Sequence, residues 1–194
     1  VVTEWETAEM IKYAANTFLA MKVAFINEMA DLCETVGADV DEVSHGIGLD
    51  PRIGRQFLKA GPGFGGSCFP KDTKALLKIA EKQEMDLPIT EAVVSSNENR
   101  RYKMVDKIVK AFGGSVREKK IAILGLTFKP GTNDMRESVS LAILPELIKL
   151  GAHIHAYDPE GMDEAKPLLP GSVHYAASAK DCLKDADGAV VITE

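Results

Sequence analysis

The feature that most limits the fold is a single long helical pattern near the start of the chain. From about Thr7 to Val36 the apolar positions Ile11, Ala14, Phe18, Met21, Phe25, Met29, Leu32 and Val36 recur at alternating steps of three and four, the period of an α-helix. A second apolar line, Ala8, Ala15, Leu19, Val23, Ile26, Ala30 and Cys33, runs along much of the opposite side. A helix that is apolar on most sides must be covered on most sides, so this segment is expected at a core or at a subunit interface. Gly37 stands where a left-handed cap would end it, and Asp39 is placed to cap a short helix over Val40 to His45. Asp50-Pro51 predicts the start of another, with Asp as cap and Pro at the first helical position.

The run Gly61-Pro62-Gly63-Phe64-Gly65-Gly66 breaks either regular period and reads as a loop. Helical patterns resume at Pro70 and again from about Pro88 to Phe112, where Gly113-Gly114 stops the second. After Arg117 the character changes. Lys120 to Gly125 is a short apolar run, followed by a helix over Ser138 to Leu150, a strand at His153 to Tyr157, a helix over Ala179 to Lys184 and a strand at Gly188 to Ile192. Strands alternating with helices imply right-handed crossovers and a parallel sheet. The expected fold class is therefore α/β: an all-helical domain over residues 1–116, followed by a Rossmann-like parallel-sheet domain over 117–194 that is truncated at its carboxyl end. The missing initiator Met and the buried-strand pattern at the other end read as the marks of an excised fragment.

The 23 basic and 29 acidic residues give a net charge of -6, with no basic stripe for a nucleic acid. No segment approaches the length of an apolar membrane span, and the start has no signal-peptide architecture. Three cysteines without a Cys-x-x-Cys pair argue against a disulfide framework or a structural zinc site and fit the cytoplasm.

Cys68 lies between the glycine loop and the start of a helix, in Gly65-Gly66-Ser67-Cys68-Phe69-Pro70-Lys71-Asp72. Unpaired N–H groups and the positive dipole end of a helix favour a thiolate, and Lys71 adds positive charge nearby. The sequence thus points to a nucleophile, whereas Cys33 and Cys182 read as small buried hydrophobes. Lys12 and Asn16 are four apart on a largely apolar helix and share a face. Burial without partners would be costly there, although periodicity alone slightly favours Lys12 snorkelling to solvent and Asn16 bonding a loop. The turn Gly125-Leu126-Thr127-Phe128-Lys129-Pro130-Gly131 lacks the Gly-x-Gly-x-x-Gly dinucleotide fingerprint. Lys129 and Arg136 instead place cations near the carboxyl end of a strand, where open α/β sheets bind ligands. His153 and His155 share a strand face, but no third ligand accompanies them and no metal is assigned.

The stretch from Gly48 to Asp72, the segment Gly125 to Ser138 and the Lys12/Asn16 pair together resemble the UDP-glucose/GDP-mannose dehydrogenase family, in family order and over essentially the whole chain. The resemblance implies a two-step, NAD-dependent oxidation of a nucleotide sugar at C6, UDP-glucose in first place. Cys68 would carry the intermediate as a thiohemiacetal and then a thioester. Lys12 and Asn16 would stabilise oxyanion character, and Asp72 would position or activate water. Arg52, Phe57, Lys59, Gly65, Phe128 and Lys129 would contact the UDP-sugar, with Arg52 reaching the site of a neighbouring subunit, and Lys71 and Arg136 would touch NAD. The resemblance further implies that the main NAD domain precedes Val1 and that this chain alone does not turn over. A homodimer through the long helix is expected from its surplus apolar surface. GDP-mannose and UDP-N-acetylmannosamine are alternative substrates, and a non-catalytic nucleotide-binding and dimerisation module is the rival of another class. The helical domain of a hydroxyacid dehydrogenase ranks last, since it has no use for the cysteine loop.

Overall fold

The structure is a computed structural model and describes residues 2–193. The first helix, α1, spans Trp5–Val36 and stops at Gly37, whose φ of 76° is a left-handed conformation that glycine adopts without strain. Asp39 then caps α2, Val40–Gly48, by accepting from the N–H of Asp41 at 2.7 Å and of Glu42 at 3.3 Å. The helix expected from Asp50-Pro51 does not form. Asp50 instead accepts from the backbone N–H and the guanidinium of Arg52, while its carbonyl takes the N–H groups of Ile53 and Gly54. Gly54 turns left-handed at φ 70°, so the chain closes into one tight turn.

Two further helices complete this part: α3, Phe69–Lys82, with Pro70 in its first turn, and α4, Pro88–Ala111, followed by left-handed Gly113 and Gly114. The face that α1 buries takes in part of the second apolar line and residues that lie between the two lines. Ala20 and Ala24 pack with Phe64 and Val93, and the polar Thr17 and Asn27 are buried beside them. Small residues are needed there because the ring of Phe64 comes close to the helix. Ile26, Ala30 and Cys33 of the second line are buried as expected, whereas Ile11, Phe18, Phe25, Leu32 and Val36 of the first line remain exposed.

The second part is a four-stranded parallel sheet of β1 (Lys120–Leu124), β2 (His153–Tyr157), β3 (His174–Tyr175) and β4 (Gly188–Val191), ordered β3-β2-β1-β4. Helices α5 (Ser140–Lys149), α6 (Met162–Ala165) and α7 (Ala179–Leu183) make the crossovers. The sequence reading lacked β3 and α6, which are too short to establish a period. Ile121, Ile123, Ile143, Leu144, Leu147 and Ile154 form the centre of the core, with Val105 and Ile108 of α4 packed into it. A smaller cluster of Ala122, Ala176 and Cys182 covers the other face under α7.

The packing divides into one unit ending at Arg100 and another beginning at Arg101, so the last turns of α4 belong with the sheet, although the sequence changes character at residues 116–117. Among the described residues no helix is long and apolar enough to cross a membrane. The strand order reverses between β1 and β4, which makes the carboxyl end of β1 a topological switch point, the usual place for a ligand crevice in such sheets.

Candidate active site

The helical unit is organised around Asp72, a carboxylate with no exposed surface in the first turn of α3. Its N–H donates to the carbonyl of Cys68 at 2.8 Å, and its side chain turns back toward α1. Asn16 Nδ2 donates to Oδ2 at 2.6 Å, and Lys12 Nζ stands 3.5 Å from the same oxygen. On the other side Lys71 Nζ lies 3.2 Å from Oδ1, an ion pair without hydrogen-bond geometry. Burial alone would push the Asp72 carboxyl up, but the Asn16 hydrogen bond and the Lys71 and Lys12 ammonium groups outweigh it and hold the group below its ordinary value. Asp72 is therefore the partner that Lys12 and Asn16 lacked in the sequence, and four of the expected residues, Lys12, Asn16, Lys71 and Asp72, meet at one carboxylate.

Cys68 is the N-cap residue of α3, one turn before Asp72, and its side chain makes no capping bond. Its Sγ is exposed, 3.8 Å from Ser67 Oγ. Cys33 and Cys182 are buried; Cys182 donates to the carbonyl of His155 at 3.2 Å, and burial pushes its thiol up. The sulfur free of any structural duty is thus the one at the helix start.

The remaining expected residues of this unit have separate settings. Phe57, left-handed at φ 63°, lays its ring against Phe69 at 5.9 Å, next to Cys68. Lys59 is exposed beside the buried Leu58, whose carbonyl accepts from Ser44 Oγ at 2.7 Å. Gly65 is half-buried in the glycine loop. Arg52 engages Asp50 rather than the Asp72 cluster, and Lys22 Nζ braces that turn through the carbonyls of Ile53 and Gly54 at 2.9 and 3.2 Å.

In the sheet unit the loop that leaves β1 carries Phe128, Lys129 and Arg136. Its organiser is Asp158, which sequence reasoning missed. This carboxylate, buried at the end of β2, accepts from the N–H groups of Leu126 (2.7 Å), Thr127 (3.2 Å), Glu160 (2.9 Å) and Gly161 (2.8 Å). Burial raises its proton affinity, and the four backbone donors more than reverse this, so Asp158 is held ionised below the usual range. The Asp158-Pro159 pair directly after a strand was the available signal. The carbonyl of Leu126 accepts from both Ser138 Oγ and Ser140 Oγ at 2.6 Å. Phe128 donates its N–H to Asp134 at 3.1 Å, and Lys129 Nζ stands 5.3 Å from the centre of the Phe128 ring. Arg136 grips Asp134 through Nη2 at 2.7 Å and Nε at 3.0 Å, and that guanidinium holds the Asp134 carboxyl low.

The helical domain thus carries a buried carboxylate one turn after an exposed cysteine, and the parallel sheet carries a loop ordered by Asp158 at its switch point. Residues 6–99 match the central domain of the UDP-glucose/GDP-mannose dehydrogenase family and residues 122–194 match its UDP binding domain, and the chain belongs to that family. It is 52% identical, over its entire length, to the UDP-glucose 6-dehydrogenase of Rhizobium meliloti and 51% identical to UDP-glucose 6-dehydrogenase TuaD of Bacillus subtilis. The chain spans 44% and 42% of those two relatives. Among solved structures, a UDP-glucose dehydrogenase from Pyrobaculum islandicum superposes over all of this chain and 44% of its own with a TM-score of 0.94 at 38% identity. An NDP-N-acetyl-D-galactosaminuronic acid dehydrogenase from Methanosarcina mazei matches 96% of the chain and 41% of its own with a TM-score of 0.81 at 28% identity.

The depressed carboxyl of Asp158 gives a pH prediction. A carboxyl whose folded pKa lies below its unfolded value contributes stability that is complete above the unfolded value, 3.8, and is lost as pH falls through the folded one. Asp158→Asn is expected to cost about 2 kcal/mol at neutral pH, the order of a charge-assisted hydrogen bond. The gap between wild type and variant should narrow as pH drops below 3.8, which denaturant unfolding across pH checks. A gap that stays constant to pH 2 contradicts the assignment.

Proposed function

We propose that this chain supplies the central and UDP-sugar-binding portions, residues 1–116 and 117–194, of a cytoplasmic enzyme that oxidises UDP-glucose to UDP-glucuronate with NAD. The observation that carries the reading is the exposed Cys68 one turn ahead of a buried, ionised Asp72 that holds Asn16 and Lys12 of another helix. UDP-glucose is preferred to GDP-mannose or UDP-N-acetylmannosamine because the relatives at 52% and 51% identity are named for it. A module that only binds nucleotide and dimerises has no use for that cysteine.

Lys71 and Arg136 fit a contact with NAD, since their side chains keep 65% and 69% of their surface exposed while paired with Asp72 and Asp134. The turn after β1 has no glycine fingerprint, so the greater part of the NAD site falls to residues outside this chain. NAD, when bound, supplies the hydride acceptor for each oxidation. The first oxidation converts the C6 alcohol to an aldehyde, and the alcohol proton leaves to solvent. The sulfur of Cys68 adds to the aldehyde carbon, and its proton passes to the carbonyl oxygen to give a thiohemiacetal. The second oxidation removes the C6 hydrogen as hydride and the hydroxyl proton, leaving a thioester. Water then adds, the C–S bond breaks, the sulfur is restored and the carboxylate is released. Lys12 and Asn16 stabilise the oxyanion at each tetrahedral stage with the N–H groups that Asp72 does not occupy. Asp72 fixes their direction and helps position or activate the hydrolytic water. Phe57, Lys59 and Gly65 are assigned to the nucleotide sugar, as are Phe128 and Lys129, and Arg52 to a neighbouring subunit.

A homodimer through α1 belongs to the same proposal. Ile11, Phe18, Phe25 and Leu32 recur every seventh residue and are 50%, 57%, 46% and 53% exposed, a seam suited to a two-fold partner. Light scattering should then report a dimer that Phe18→Glu dissociates. A strict monomer at concentrations on the order of 100 μM, where even a weak dimer populates, overturns this part.

For the activity, calorimetry of this chain with UDP-glucose should detect weak binding that Lys129→Ala reduces about tenfold, the worth of one charged contact. No NADH should form with the chain alone. The enzyme that contains it should reduce NAD with UDP-glucose in preference to the other two sugars. Clear preference for GDP-mannose, or turnover by the chain alone, contradicts the reading.

A further inference from the structure

The glycine loop that leads to Cys68 has almost no structure of its own, yet its backbone is held at both ends by buried polar side chains. At Gly61 the N–H donates to Asn27 Oδ1 at 2.8 Å and the carbonyl accepts from Arg100 Nε at 2.9 Å. At Phe64 the N–H donates to Asn97 Oδ1 at 2.8 Å and the carbonyl accepts from Asn97 Nδ2 at 3.1 Å. Asn97 thus does for Phe64 what a neighbouring strand would do, offering donor and acceptor to one residue. Arg100 is itself anchored, since Nη1 donates to the carbonyl of Asn27 at 3.1 Å and pairs with Asp31. Asn27, Asn97 and Arg100 are 3%, 5% and 6% exposed, so none of them is a surface decoration.

From Phe64 the restraint passes on to the cysteine. The Phe64 ring is packed among Ala20, Ala24 and Val93 and meets the ring of Phe69 edge-on at 5.7 Å. Cys68 therefore sits on a short arc whose two ends, Phe64 and Phe69, are in contact. Gly63 just before the arc and Gly66 inside it hold φ of 121° and 80°, conformations that side chains oppose. An arc so rich in glycine would sample many shapes if its ends were released.

We propose that Asn97 and Arg100 of α4, together with Asn27 of α1, are positioning residues that set where Cys68 stands, by fixing both backbone polar groups of Gly61 and of Phe64. They touch no reacting atom. The proposal rests on the reading of Cys68 as the nucleophile, but its first test needs no substrate.

Asn97→Leu keeps the branching of the side chain at a somewhat larger volume and removes both bonds to Phe64; Asn97→Asp keeps the acceptor for the Phe64 N–H and removes the donor. Two measurements on the whole chain are combined: amide hydrogen exchange resolved along the sequence, and the rate of iodoacetamide alkylation at Cys68. In Asn97→Leu, exchange over residues 61–66 should rise about tenfold, as expected for the loss of one net hydrogen bond. Alkylation of Cys68 should change at least about threefold, since access and orientation set its rate. Protection over α1 should stay within about twofold, and Asn97→Asp should fall between wild type and Asn97→Leu. Exchange and alkylation that match wild type in a folded Asn97→Leu overturn the proposal. If Asn97→Leu unfolds, Asn97→Asp decides. A loss of protection spread evenly over the helical unit in that variant means that Asn97 serves stability alone, which also overturns it. A separate titration of wild type with UDP-glucose keeps the two claims apart. Absence of binding there counts against the proposed function and leaves the exchange result to judge the positioning role.

Discussion

The hydrogen bond from Asn16 to Asp72 is the contact on which the helical unit turns. It spans 56 residues of sequence and joins the middle of one helix to the first turn of another, at a carboxylate with no exposed surface. A charge so placed is tolerated because it is answered from three sides, by an amide and two ammonium groups. Ionised Asp72 gives Lys12 and Asn16 a fixed direction, and the same turn of α3 carries Cys68 at its start. Removing Asp72 would strand the other three groups.

The sheet unit repeats the device with different donors. Asp158 gathers four backbone N–H groups from two loops, where Asp72 gathers side chains. In both units a buried carboxylate, held below its ordinary proton affinity, orders the segment that carries the residues assigned to substrate. The glycine loop follows the same logic with neutral and cationic groups, since Asn27, Asn97 and Arg100 satisfy a backbone that no strand or helix reaches. Loops that must present ligand contacts are thus fixed by buried polar side chains instead of by repeating structure.

What could be read from the sequence follows from this. The extent of α1 and its stop at Gly37 were legible because period and cap are local signals. The face it buries was legible only in part: Ile26, Ala30 and Cys33 belong to the second apolar line, but Thr17, Ala20, Ala24 and Asn27 lie between the two lines and are small or polar. The shared face of Lys12 and Asn16 was legible by spacing, but their partner was not, since nothing local links them to Asp72. Asp50-Pro51 looked like a helix start because its chemistry is that of a cap; the side chain of Arg52 and the left-handed Gly54 close the turn instead. The β1 and β4 strands stood out as apolar runs and β2 as a strand whose His153 and His155 share a face, whereas β3 and α6 owe their existence to the sheet edge and its crossover. Asp158 escaped notice because two of its four partners lie 31 and 32 residues away, where no local signal reaches.

The central claim is that Cys68, carried at the start of α3 and oriented by its surroundings, bears the intermediate. The most direct measurement is acid quenching of the full-length enzyme during turnover with UDP-glucose and NAD, followed by peptide mapping of the three cysteines. The account predicts a UDP-glucuronyl thioester on the Cys68 peptide, absent from those of Cys33 and Cys182, and absent altogether when UDP-glucose is omitted. Steady turnover in a Cys68→Ala enzyme, or an adduct found on another residue, would contradict it.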